Sequence, residues 1–239
     1  MNNTKNIIIA GIVVLLSSII LASGLYNFGN RDGVVTVKGS AERYVVADKV
    51  LWNISFVSAG NDLDIINKKI LDDTAKVKNF LKKFNITEEE INLGQLDFVD
   101  MDAREYKDPN QKNRFIVTQT IFVESNNVNA VEKASKNLLD LIQQNVYLKD
   151  SYGTMKPMYV FTKLDEIKNP MIDEATEKAK SSAQQFATNS KVKVGKIKKA
   201  NQGLFVITGR NKAAQYGNDE LYQKEKEVRV VSTIEYYLK

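Results

Sequence analysis

Apolar residues recur along this chain in three rhythms, and each predicts a different kind of element. The first is near-continuous: residues 7–25 carry no charge and only three polar side chains, Ser17, Ser18 and Ser23. A helix rises about 1.5 Å per residue, so about 20 such residues cover the hydrocarbon core of a bilayer. The run predicts one N-terminal transmembrane helix over 7–25, preceded by a cytoplasmic tail 1–6 and followed by a tether 26–33. A removable secretory signal cut near Gly24 also fits. Signal cores usually hold about 7 to 15 apolar residues, so the greater length of this run favours the anchor.

The second rhythm alternates. Segments 34–37 and 44–57 are β-rich around a hairpin turn at 38–43, with Val50, Trp52, Ile54 and Phe56 on the buried face. Segments 91–101 and 114–124 read as strands, Phe115, Val117, Ile121 and Val123 alternating in phase with Gln119, joined by the polar loop 102–113. Further strands are expected at 155–164, 194–208 and 227–238. The third rhythm is helical. Asn61 is placed to cap a helix carrying Leu63, Ile66, Ile70, Val77, Leu81 and Phe84. Asn126 or Asn127 caps a second, with Val128, Val131, Ala134, Leu138, Leu141 and Ile142 on one face. A third has Pro170 in its first turn, Asp173 and Glu174 near its positive end, and an i+4 ladder of Ala175, Ala179, Ala183 and Ala187 beside Ile172 and Phe186. Small side chains in that ladder let a neighbouring backbone come close. The order ββαββαβαββ predicts an α+β domain over 34–239: a largely antiparallel sheet with helices on one face, built on a single core.

Composition narrows the chemistry. The chain has no cysteine and no histidine, which removes thiol nucleophiles, disulfides, Ser-His-Asp triads and ordinary structural zinc sites. Attachment of a lipid at the end of the apolar run would need a cysteine there. The whole chain carries +5, and without Lys5 the part beyond the run carries +4, a charge that suits solubility and is not a nucleic-acid footprint. Lys5 is the one charged side chain before the run, while Arg31 and Asp32 offset one another after it. Positive-inside bias therefore leaves the N-terminus in the cytoplasm and sends the domain outward.

Candidate sites are few. Asp97, Asp100, Asp102, Glu105 and Asp108 crowd the 102–113 loop, but lack the glycine and final glutamate spacing of a calcium loop. Lys191, Lys193, Lys196, Lys198 and Lys199 alternate with Val192, Val194 and Ile197, most simply the wet and buried faces of a strand, with anionic lipid or glycan contact as the alternative. Gly195-Lys196 lacks the upstream glycine of a phosphate loop. No catalytic, cofactor-binding or metal-binding residue is assigned and no cofactor is expected. Gly39 suits a turn or bulge, Asp48 can satisfy backbone donors at a strand start, and Trp52 reads as buried mass with a paired indole N–H. Glu42 and Arg43 would stand exposed at the hairpin tip.

Val37-Lys38-Gly39-Ser40-Ala41 and Ala47-Asp48, followed by Trp52-Asn53-Ile54 and Gly60-Asn61-Asp62-Leu63, resemble the opening of the SIMPL-domain family of bacterial envelope proteins, and in particular a membrane-anchored branch. The alanine-rich segment running into Lys193-Val194-Gly195-Lys196 is similar to a later part of that family, so the likeness covers about residues 33–238. The chain departs from the family pattern in having Ala47 where many members have proline. The resemblance implies a largely uncharacterised activity, links to envelope or oxidative stress tolerance in some members, and assembly into rings or cylinders in others; it brings no catalytic residues. Two function classes follow. One is a non-enzymatic envelope protein that self-associates or binds an envelope partner. The other is an enzyme working with two carboxylates about 5 to 9 Å apart, such as a glycan hydrolase. A third option is a small-ligand module with an enclosed apolar pocket between sheet and helices.

Overall fold

Val50, Trp52, Ile54 and Phe56 all turn to one side of strand β2 (Lys49–Gly60), and all four are fully buried. The computed structural model describes residues 11–22, 33–106, 110–150, 155–211 and 218–239. Strands β3 (Ile91–Asp100), β4 (Phe115–Ser125) and β5 (Met158–Val160) join β2 in an antiparallel sheet of order β3-β4-β2-β5. Trp52 stands opposite Val123 and Ile54 opposite Ile121, so the inward residues of the two central strands meet on one face. Helices α1 (Leu63–Lys83), α2 (Val128–Ser135) and α3 (Leu139–Gln143) cover that face with Ile66, Ile70, Val77, Phe80 and Leu81 from α1, Val131 and Ala134 from α2 and Leu141 from α3. The Trp52 indole N–H donates to the Met155 carbonyl at 2.6 Å.

Among the described residues, the fully buried polar side-chain atoms of this layer have partners. Asp73 lies in the apolar phase of α1 and is 0% exposed. The Lys69 and Lys76 ammonium groups pair with it and also donate to the Asn145 and Gln144 carbonyls just past α3, at 2.8 and 3.1 Å. Gln119 donates to the Gly94 carbonyl at 3.1 Å, satisfying β3 where its register slips between Leu93 and Leu96.

A second sheet has the order β1-β8-β6, with β7 also paired to β8. Its strands are β1 (Val34–Val46), β6 (Val194–Gln202), β7 (Val206–Gly209) and β8 (Glu225–Leu238), and the long helix α4 is Leu164–Asn189. Here Val37, Ala179, Ala183, Ile234 and Tyr236 form a separate buried cluster. By contacts the chain divides into two units, one of Met1–Ala41, Ile172–Leu204 and Val230–Lys239, the other of Glu42–Met171 and Phe205–Arg229.

Several sequence expectations change. The architecture is mixed α and β with two antiparallel sheets where one was expected, and buried apolar residues of the described chain gather in two separate clusters where a single core was expected. The hairpin over 34–57 does not form: β1 runs straight through 38–43, because inward alternation continues through Val35, Val37, Gly39 and Ala41, and β2 belongs to the other sheet. Gly39 makes no turn; its bare Cα sits against the α4 backbone at Ala175 and Ala179, the close approach that the buried alanine ladder permits. Asp62, not Asn61, caps α1, accepting from the Asp64 and Ile65 amides. Asn61 instead accepts from the Arg114 amide and donates to the Lys112 carbonyl. Of the two cap candidates Asn127 caps α2, but helical structure over 128–142 breaks into α2 and α3. Helix α4 starts at Leu164 with Asp165 and Glu166 in its first turn, leaving Pro170 inside the helix. Segment 194–208 is two strands, interrupted where the Gly203 amide donates to the Val231 carbonyl at 2.8 Å. β6 has no buried face, and Ile197 is 52% exposed.

Residues 11–22 are helical with their side chains exposed. The rest of the 7–25 span, the 1–6 tail and the tether before Gly33 lie outside the described residues, and among the described residues no helix is long and apolar enough to cross a membrane.

A Cβ added at Gly39 would run into the Ala175 carbonyl oxygen and the Ala179 amide nitrogen, backbone atoms that cannot swing aside. Gly39→Ala is expected to destabilise the protein by about 3 kcal/mol, the upper end of overpacking costs. Urea unfolding measures it, and Ser40→Ala, one residue along, serves as the control.

Candidate functional site

The best-built polar site grows from the corner between β1 and β2. The chain has two residues, Ala47 and Asp48, in which to leave one sheet and start the other. Ala47 is buried and its amide donates to the Lys224 carbonyl at 2.9 Å, while the Asp48 amide donates to the Val160 carbonyl at 3.1 Å. The Asp48 carboxylate then takes two bonds from one residue, the Thr162 amide on Oδ1 and the Thr162 hydroxyl on Oδ2, both 2.6 Å. Burial works against the charge on Asp48, but the Thr162 bonds and nearby Lys163 outweigh it and hold the carboxyl below its ordinary range.

Around this latch lies an open cleft of about 670 Å³ lined by Asp48, Lys49, Asn127, Asn129, Thr162, Lys163 and Lys224 among others. Lys49 pairs with Glu124 at 2.6 Å. Lys224 pairs with Glu132 at 3.0 Å and donates to the Asn129 amide oxygen at 2.6 Å. Hydrogen bonds from Lys136 and then Lys224 keep Glu132 ionised below its usual value. Asn127 spends its side-chain oxygen on the Ala130 amide at the start of α2. The cleft thus brings cations, a carboxylate and amides together, with Asp48, Lys49, Asn127 and Lys224 already committed to protein partners. It can fix three chain segments and present a polar surface; its side chains include no thiol or imidazole to act as a nucleophile or base.

A second, smaller cavity of about 250 Å³ is lined by Thr208, Asn211, Glu220, Glu227 and Arg229 among others, beside β7 and β8. Arg229 also reaches Glu42 at 3.3 Å.

The other sequence candidates disperse. Arg114 ties Asp100 and Asp102 at 3.0 and 3.3 Å, and the Gln95 amide donates to Asp97. Glu105 is exposed and Asp108 lies outside the described residues. Glu42 and Arg43 sit exposed within β1 and not at a hairpin tip. Lys198 pairs with Glu235 at 3.3 Å, while Lys191, Lys193, Lys196 and Lys199 are exposed. Sequence reasoning missed Thr162 and Lys224, whose partners lie far along the chain. It also missed Asp73, although an aspartate in the apolar phase of a helix with lysines four before and three after signals a buried carboxylate.

A mixed α and β domain of two antiparallel sheets, tied at an Ala-Asp corner, defines the class of protein. The chain belongs to the SIMPL family: residues 35–236 match its family model, described as a protein of unknown function (DUF541). No curated protein matches the chain.

Asp48→Asn removes the charge-assisted acceptor of the Thr162 hydroxyl, and is expected to cost about 1.5 kcal/mol at neutral pH, the low end for charged hydrogen bonds because the cleft is open. The folded pKa of Asp48 is lowered, so this stabilisation is complete above the ordinary aspartate value of about 4 and lost as pH falls through the lower folded value. Urea titrations of both proteins across the acid range should show the gap closing.

Proposed function

We propose that this is a non-enzymatic bacterial envelope protein, held in the inner membrane by residues 7–25, whose periplasmic SIMPL domain associates with a second copy of the chain in support of envelope or oxidative stress tolerance. The observation that carries this reading is an apolar surface at the open edge of the first sheet. β3 is the terminal strand there, and its Leu93, Leu96 and Phe98 are 60%, 53% and 50% exposed. With Leu63, Ile66 and Ile70 of α1, Leu96 and Phe98 line a groove of about 290 Å³. Exposed apolar side chains grouped beside a strand with free backbone groups favour protein contact over solvent.

The carboxylate-enzyme reading lacks comparable support. A general acid needs a pKa raised toward neutrality. Asp48, Glu88, Glu90 and Glu132 move the other way, below their ordinary values and toward permanent charge.

Native mass and N-terminal sequence, measured together on protein extracted in mild detergent, test the proposal. An oligomer retaining residues 7–25 is expected; a monomer beginning at Leu25 overturns both anchor and assembly. Leu96→Asp with Phe98→Asp is expected to shift the protein to monomer, each lost contact being worth about 2 kcal/mol, with Trp52 emission unchanged as the measure of an intact core.

A further inference from the structure

We propose that the end of the second sheet carrying Lys191, Lys193, Lys196 and Lys239 docks on anionic phospholipid headgroups. This rests on the anchor reading above. Three strands meet at that end. The Leu238 amide donates to the Gly33 carbonyl at 2.6 Å, and Lys193 and Lys239 exchange backbone hydrogen bonds of 2.7 and 2.8 Å. Gly33 is where the chain enters the sheet from its N-terminal side, and the apolar run ends at Leu25. The connection between them spans at most about 30 Å even when fully extended. A membrane-held chain therefore keeps this end of the sheet, and not an arbitrary surface, close to the bilayer.

Charge at that end suits the contact. The four lysines are exposed, and among the described residues no carboxylate pairs with them; Glu235, farther along β8, is engaged with Lys198. Lys193 and Lys239 are bonded to each other just past the ends of β6 and β8, Lys191 precedes them and Lys196 lies about 10 Å up the strand. That spacing is comparable to the screening length at physiological salt, so all four act on one surface at once. Anionic headgroups attract basic residues held beside the membrane in this way.

The test uses the full chain in vesicles. Because the protein has no cysteine, Ser190→Cys admits a single fluorophore beside the lysines, read by quenching from headgroup-labelled nitroxide lipid. Quenching should rise when phosphatidylglycerol is added to phosphatidylcholine, fall at high salt, and weaken by about fivefold in docked-to-undocked ratio for each lysine neutralised among Lys191→Gln, Lys193→Gln, Lys196→Gln and Lys239→Gln. Lys199→Gln, farther from that end, should change it little, and unchanged Trp52 emission verifies folding. Quenching indifferent to phosphatidylglycerol and to the four lysines overturns the proposal; an acidic glycan or protein as the true partner would give that result. Retention on pure phosphatidylcholine vesicles at high salt, measured by flotation, reports the anchor separately. Loss of that retention with lysine-dependent docking preserved overturns the anchor and supports the headgroup contact.

Discussion

The paired bonds from Thr162 to the Asp48 carboxylate hold the point where the chain exchanges one sheet for another. Consecutive strands usually pair with each other, because a short turn brings them together at little entropic cost. Here β1 and β2 are consecutive yet belong to different sheets. Two backbone amides at the corner would otherwise lose their ladder partners, and they find them in the Lys224 and Val160 carbonyls. The corner is thus satisfied by residues far along the chain, and it closes only when β5 and the start of β8 are in place. An ionised acceptor suits that role because both of its oxygens can be used at once and its bonds are stronger than those of a neutral group.

That dependence on distant partners also explains which parts of the structure were readable from sequence. The inward faces of β2 and β4 were legible residue by residue, since each is central in its sheet and packs under helices, so the period of two is enforced along its length. Most of the α1 stripe was legible for the same local reason, although Leu63 at its start is 47% exposed and Phe84 lies just past its end; the α2 cap was narrowed to Asn126 or Asn127. The hairpin at 38–43 was not, because Gly39 reads as a turn in isolation and as a close contact only beside α4. Pro170 marks a helix start by local rules, yet α4 extends six residues before it. Of the candidate site, Asp48 and its role toward backbone donors could be seen in the sequence; Thr162 and Lys224 could not, as neither lies near it in the chain.

Charged residues placed inside the fold serve the same positioning task. Asp73 is buried only because Lys69 and Lys76 meet it, and the two lysines carry the ends of their charge to the carbonyls that follow α3. A short helix such as α3 has little stability of its own, so these bonds fix it to α1. Gln119 does similar work at the β3 irregularity. Among the described residues no buried side-chain nitrogen or oxygen lacks a partner. Such groups are bound to the scaffold and rigidify it.

Two of the sheet edges, β6 and β3, differ in how they meet solvent, and the difference bears on where the protein can associate. β6 ends the second sheet and is exposed on both faces, but Lys196, Lys198 and Lys199 stud it with charge, a common defence against unwanted strand addition. A second copy pairing there would bring like charges together. β3 ends the first sheet with Leu93, Leu96 and Phe98 exposed, and the ring of Phe98 is already stacked on Phe115 at 5.7 Å, which holds it in place. Asp97, the charge between them, points to the opposite face with Thr118 across from it. The lysine edge repels a strand and suits an anionic surface; the leucine edge admits a strand and an apolar side chain. Each edge therefore favours a different kind of contact: charge guards the backbone of β6, while apolar side chains flank the backbone of β3.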